Sequence, residues 1–204
     1  LNQRSEMLSG ISHDLRTPLT RMKLQIAFIK DKNLGNTLTE DINEMEKMLN
    51  EYLQFTSSSY TEKDEKFNLS ELIKTIVLKY NNKNISTNIL DEVYINGRKN
   101  LILRCINNLV DNAIKYGEKV SVELNKNNKN LFIKIEDDGP GIPESEYENV
   151  FKPFYKIDKS RGNAKSSVGL GLSIASDIIR SHGGNIKLSK SNMGGLGVKI
   201  FLPV

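Results

Sequence analysis

Along the first quarter of the chain, apolar residues recur at spacings that only a helix aligns. Leu15, Leu19, Met22, Ile26 and Ile29 follow at four, three, four and three, and Leu38, Ile42, Met45, Leu49 and Tyr52 repeat that rhythm. A narrow stripe of this kind belongs to helices packed along a seam. Residues 1–58 therefore read as two helices, with Asn33-Leu34-Gly35-Asn36 as stop and restart. One hairpin has too little surface to bury its stripe alone. Packing on its own C-terminal domain is one solution, and pairing with a second copy into a four-helix bundle is the better one, because it covers the stripe on every helix. Residues 56–66 are small, polar and charged, and read as a linker. Beyond them Asn68 and Glu71 form a capping-box start, with Phe67 and Leu72 as its staple, for a helix to about Tyr80. Residues 119–124 and 131–136 alternate as half-buried strands around an Asn/Lys-rich turn. Residues 99–116 and 172–182 read as helices, each closed by glycine, and 185–190 and 198–202 as short strands. The expected architecture is helical first, then α+β, with helices on one face of a largely antiparallel sheet.

Composition narrows the classes. The 204 residues carry 29 Lys+Arg against 25 Asp+Glu, and the basic excess lies beyond residue 58. Aromatics are few and no dense Lys/Arg block occurs, so nucleic-acid binding is not expected. The single Cys105 rules out a disulfide framework and a cysteine-built zinc site, and its apolar neighbours make it a packing residue. No apolar run reaches the ~18 residues of a membrane span. A chain that opens on Leu1 reads as a piece of a longer protein, with any membrane segment lying outside it.

Four constellations carry chemistry. In Ser12-His13-Asp14-Leu15-Arg16-Thr17-Pro18, His13 and Thr17 share a helix face clear of the apolar stripe. A solvent-facing imidazole is largely neutral at pH 7 and offers a nucleophilic nitrogen. A carboxylate beside it, Asp14, can hold the opposite ring N–H and stabilise the imidazolium formed on attack. Pro18 inside a periodic helix should loosen the turn beside His13. In Asn108-Leu109-Val110-Asp111-Asn112-Ala113-Ile114-Lys115-Tyr116, two amides on one face offer oxygens to a hard cation such as Mg2+, and Lys115 can meet a phosphate. A polar helix face in an Asn-rich protein would look the same. Asp137-Asp138-Gly139-Pro140-Gly141 follows a strand. There a carboxylate can accept from an exocyclic amine such as that of adenine, and glycines permit close approach. Gly169-Leu170-Gly171-Leu172 opens a helix, where backbone N–H groups suit a phosphate. It follows the polar stretch 155–168 with Lys156, Lys159, Arg161 and Lys165, which reads as a mobile basic lid.

In this order and spacing the motifs closely resemble the catalytic core of a bacterial sensor histidine kinase. The H-box of the osmosensor type, His-Asp-Leu-Arg-Thr-Pro-Leu-Thr-Arg, stands at residues 13–21. An F-box, Phe151-Lys152-Pro153-Phe154-Tyr155, lies between a first glycine box at 137–141 and a second at 169–171. The resemblance covers essentially the whole chain. It implies an all-α hairpin that forms a four-helix bundle as a homodimer (1–58), a linker (59–66), and an α+β sandwich ATP-binding domain of the Bergerat, or GHKL, type (67–204). It further implies that His13 is phosphorylated from ATP with Asp14 as base, and that Thr17 helps orient water for dephosphorylating a partner. Asn108 and Asn112 would bind Mg2+, Lys115 and Tyr116 would face the phosphates, and Asp137 would read adenine. Gly139, Gly141, Lys156, Arg161, Gly169 and Gly171 would line the nucleotide. Lys156 stands where the family often has Arg, which keeps the charge but not the bidentate fork. The implied partner is the receiver domain of a response regulator, and the implied location of the full-length protein is the cytoplasmic side of the inner membrane. His182, ahead of Gly183-Gly184, reads as a helix C-terminal residue.

Overall fold

The structure, a computed structural model, describes residues 15, 17–80, 84–127, 130–157 and 169–203. The described residues divide into two compact units: those up to Thr61 together with 169–170, and 62–157 together with 171–203.

In the first unit, helix α1 covers residues 17–26 and passes through Pro18, and helix α2 is Lys32–Thr61. The break between them lies earlier than the glycine suggested. Asp31 Oδ1 accepts the N–H groups of Asn33 and Leu34 at 2.9 and 3.1 Å, capping α2. Asn33-Leu34-Gly35-Asn36 is thus the first turns of α2 and not a stop, because an aspartate cap starts the helix before the glycine can end it. Leu19 and Ile42 are buried within the hairpin, and Lys23 Nζ reaches Glu46 Oε2 at 2.7 Å across it. Leu24, Phe28 and Met45 remain exposed. The polar stretch read as linker is helical as far as Thr61.

The second unit begins with strand β1 (Glu65–Asn68) and helix α3 (Leu69–Leu78). Asn68 caps α3 by accepting the Glu71 N–H at 3.1 Å. Strand β2 (Asn84–Ile89) and strand β3 (Tyr94–Gly97) precede the long helix α4 (Lys99–Tyr116). Strands β4 (Lys119–Lys126) and β5 (Asn130–Asp137) follow, then two single 3-10 turns at 144–146 and 149–151. Helix α5 (Gly171–Ser181) and strands β6 (Asn185–Lys190) and β7 (Leu196–Pro203) end the unit.

The large sheet has the order β2-β4-β5-β7-β6, parallel at β2–β4 and antiparallel elsewhere, and β1 pairs with β3 apart from it. Strand alternation sends Val120, Val122, Leu124, Ile133, Ile135 and Ile200 to one face, and all are buried. α4 and α5 cover that face with Ile102, Ile106, Leu109, Ile174 and Ile178, giving a two-layer α/β sandwich. The register Val120↔Asp137 and Glu136↔Gly197 brings the C-terminal end of β5 beside the start of β4 and the turn before β7. The sheet therefore delivers Asp137 to one edge of the sandwich, where α4 also ends.

Candidate functional site

Asp137 is the last residue of β5 and only 5% exposed. One oxygen, Oδ1, accepts the N–H groups of Gly139 at 2.9 Å and Leu196 at 3.2 Å. Its backbone carbonyl accepts the Gly195 N–H at 3.1 Å. Both side-chain hydrogen bonds fall on Oδ1, so the carboxylate is locked in orientation while Oδ2 is left to receive an N–H from a ligand. Burial pushes its pKa above the ordinary 3.8. The two backbone N–H donors oppose that shift, and the neighbouring Asp138 and Glu136 carboxylates add to it.

Two glycines make this packing possible. A Cβ on Gly139 would lie 2.5 Å from the Tyr116 carbonyl oxygen, and one on Gly195 would collide with Asp137 Oδ1. The end of α4, the β5 turn and the β7 turn therefore close around one carboxylate. Asp138, the next residue, serves the scaffold. Its Oδ1 accepts the N–H groups of Glu118 and Lys119, each at 2.8 Å, which pins the turn from α4 into β4. The Lys119 N–H foremost holds its pKa below the ordinary value.

Asn108 and Asn112 sit one turn apart on α4, facing the start of α5. Asn108 Nδ2 approaches the Gly171 carbonyl at 3.5 Å, and a Cβ on Gly171 would lie 3.4 Å from Asn112 Nδ2 and 3.9 Å from its Oδ1. The two amides and the α5 N-terminus thus converge, and the missing side chain of Gly171 keeps the space between them open. Among the described residues no group of three or more His, Cys, Asp or Glu is placed to hold a metal. A cation here would rest on the Asn108 and Asn112 amide oxygens and on oxygens of the ligand, a donor set that suits Mg2+.

Lys115 Nζ lies 5.2 Å from the centre of the Tyr116 ring, and Tyr116 is 52% exposed. Gly141 has φ +70° and Gly169 φ +76°. Lys156 is exposed. Between the two glycine boxes, Lys152-Pro153-Phe154-Tyr155 makes a turn that places Phe154 at φ +64°, a strained value for an aromatic residue. Tyr155 donates its hydroxyl to Glu146 Oε2 at 2.5 Å and Lys152 Nζ donates to Asn149 Oδ1 at 2.7 Å, so the turn is held from both flanks.

The structure thus gathers Asn108, Asn112, Tyr116, Asp137, Gly139 and Gly171 at one edge of the second unit. Thr17 is exposed on α1. His13, Asp14 and Arg161 lie outside the described residues, as does the stretch 158–168 of the expected lid. Asp111 accepts the Tyr80 hydroxyl at 2.6 Å. His182 is structural. Its Nε2 accepts the Arg98 N–H at 3.1 Å and Nδ1 lies 2.7 Å from the Ile178 carbonyl, which fixes the Nδ1–H tautomer. Cys105 is buried, and burial drives its thiol pKa upward, away from reactivity. Gly195, Leu196 and Asp138 were not foreseen. The glycine pair Gly194-Gly195 before the last strand was the available signal for the first two.

The family described as histidine kinase-, DNA gyrase B-, and HSP90-like ATPase matches residues 97–204, and the His kinase A (phospho-acceptor) domain matches residues 3–60. Sensor histidine kinase GtrS of Pseudomonas aeruginosa is 35% identical over the whole of this chain, which spans 42% of that protein. Sensor histidine kinase CpxA of Escherichia coli is 30% identical, again over the whole chain and 48% of its own length. The chain therefore spans less than half of these curated relatives. Among solved structures, the catalytic domain of histidine kinase ThkA superposes with a TM-score of 0.61 at 26% identity, covering 69% of this chain and 95% of that one. Full-length ShkA in complex with AMPPNP shares the fold over 96% of this chain and 45% of its own, with a TM-score of 0.70 at 18% identity.

Proposed function

Because the chain belongs to the histidine kinase-, DNA gyrase B- and HSP90-like ATPases and joins that domain to a His kinase A phospho-acceptor domain, as histidine kinase catalytic cores do, we propose that it moves the γ-phosphoryl of ATP onto His13 and from there to an aspartate of a response regulator. The observation that carries this reading is the buried, orientation-locked Asp137 carboxylate, flanked by glycines at the edge where Asn108 and Asn112 converge. Such a carboxylate accepts the exocyclic N–H of adenine and selects an amine over a carbonyl at that position, since a carbonyl would leave two acceptors facing each other.

With adenine seated there, the phosphates extend past Tyr116 and Lys115 toward the α5 N-terminus. Gly171 leaves the backbone accessible and the helix dipole favours anions. Lys115, Lys156 and Arg161 supply positive charge. Mg2+, held by the Asn108 and Asn112 amide oxygens, would neutralise the triphosphate when bound. A neutral His13 ring nitrogen attacks the γ-phosphorus in line, the bond to the β,γ-bridging oxygen breaks and ADP leaves. Asp14 takes the hydrogen bond of the opposite ring N–H and offsets the imidazolium charge. Thr17, one turn on, orients water when the phosphorylated regulator is hydrolysed. The exposed Leu15 and Met45 of the two stripes support a homodimer through residues 1–58, with 59–66 as connector and 67–204 as the catalytic part. The full-length protein would place this core on the cytoplasmic side of the inner membrane. Among the described residues no helix is long and apolar enough to cross one.

Incubation with γ-labelled ATP and Mg2+ tests the reading. Acid-labile label on the protein is expected. Label released as free phosphate without a phosphoprotein would point to a hydrolytic ATPase of the same fold, and no turnover at all to a nucleotide-bound scaffold.

A further inference from the structure

We propose that Glu62 is a positioning residue for phosphoryl transfer, tying the root of the connector after α2 to the helix that carries Asn108 and Asn112. The proposal rests on the kinase reading above and adds to it. Glu62 Oε1 accepts the Asn100 N–H at 2.6 Å and Oε2 accepts the Leu101 N–H at 3.2 Å. These are donors of the first turn of α4, which that helix cannot satisfy from within. The residue at its own cap position, Arg98, makes no side-chain capping bond, and a guanidinium has no acceptor to offer. Arg98 turns instead to α5, donating Nη2 to the Ser181 carbonyl at 3.1 Å and to its hydroxyl at 2.6 Å. The α4 N-terminus is therefore capped by a carboxylate from nearly forty residues earlier in the chain, with both oxygens engaged, at the positive end of an 18-residue helix.

The place of Glu62 gives the cap its consequence. Thr61 ends α2 and Glu65 begins β1, so residues 62–64 are the whole non-regular segment between them. With Glu62 pinned, the chain leaving α2 is fixed to the second unit at its first residue. Released, those three residues would add up to ~10 Å of reach and the orientations that go with it. Transfer from nucleotide to imidazole needs an in-line approach, and a looser tether dilutes the productive pose. Nucleotide binding needs no such approach. Asn100 lies eight residues, or ~12 Å along the helix axis, from Asn108. The clamp therefore acts on the transfer rate and not on ATP affinity.

Glu62→Ala and Glu62→Gln in the full 204-residue chain test this. For Glu62→Ala, amide exchange at Asn100 and Leu101 should quicken about tenfold, AMPPNP affinity by calorimetry should stay within about twofold, and autophosphorylation at saturating ATP should slow about fivefold or more. Glu62→Gln keeps the length and one acceptor oxygen and should recover at least about half the rate. An unchanged rate in Glu62→Ala overturns the proposal. So does a parallel fall of affinity, rate and melting temperature, or a glutamine variant no faster than alanine. A parent chain that takes up no phosphoryl group overturns the kinase reading and this proposal together, and is recognised because the unsubstituted protein is itself silent.

Discussion

At the end of β5 two adjacent carboxylates are shifted in opposite directions by their surroundings. Asp138 has a pKa below its ordinary 3.8, so its contribution to stability is present above that value and is lost as pH falls through the folded-state pKa. Asp137 is raised above 3.8, so its ionisation costs stability as pH rises through its folded-state value. Urea midpoints measured from about pH 3 to 7 should therefore show Asp138→Asn losing the acid-side slope. Asp137→Asn should be at least as stable as the parent at neutral pH. The same Asp137→Asn variant should bind ATP at least about tenfold more weakly by calorimetry, because the amide offers N–H toward an amine that also donates. A variant that gains stability and loses ligand is what a binding carboxylate gives. One that loses stability at pH 7 and keeps ATP would make Asp137 a scaffold residue. The motif Asp-Asp-Gly-Pro-Gly leads one to expect a ligand carboxylate, but does not say which oxygen the backbone claims or that the second aspartate belongs to the scaffold. Those follow from the Val120↔Asp137 register, which pairs residues 17 apart in sequence.

Helix α4 separates what an element's own sequence makes legible from what it does not. Its apolar face, its end at Gly117 and the convergence of Asn108 with Asn112 all follow from a period near 3.6, a local property of the sequence. Its start at Lys99 is also where the sequence places it, but what caps that start is not legible, because the partners come from elsewhere in the chain. Glu62 caps it, and His182 and Ser181 from the end of α5 hold Arg98. Strand β2 is not legible for a related reason. Asn84–Ile89 is mostly exposed and polar, an edge strand whose identity is set by parallel pairing with β4 rather than by its own alternation. The local cap at Asn68 behaves as read. Asn68→Ala should cost about 1 kcal/mol, a fall of about 2–4 °C in Tm. His182→Ala should cost about 1–3 kcal/mol by leaving the Arg98 N–H without its partner, with AMPPNP affinity unchanged, because the ring joins the ends of α4 and α5 remote from Asp137. A loss of affinity in that variant would give His182 a part in the site.

For the whole molecule, a helical hairpin and an α/β sandwich are joined through three residues, the first of them clamped. On the proposed reading neither half performs the reaction alone, since one would lack the phosphoryl donor and the other the nucleophile. The bipartite plan was legible because each half carries its own local signature, a seam of 3.5 spacing and then mixed periods. The clamp was not, since a single glutamate in a polar stretch looks like solvated linker. The most direct measurement is phosphopeptide mapping at neutral pH after incubation with ATP and Mg2+, run on the parent and on His13→Ala. The account predicts phosphohistidine in the peptide containing His13, and no phosphoprotein from His13→Ala although that variant still binds ATP. A phosphoryl group mapped to any other residue, or retained in full by His13→Ala, would contradict it.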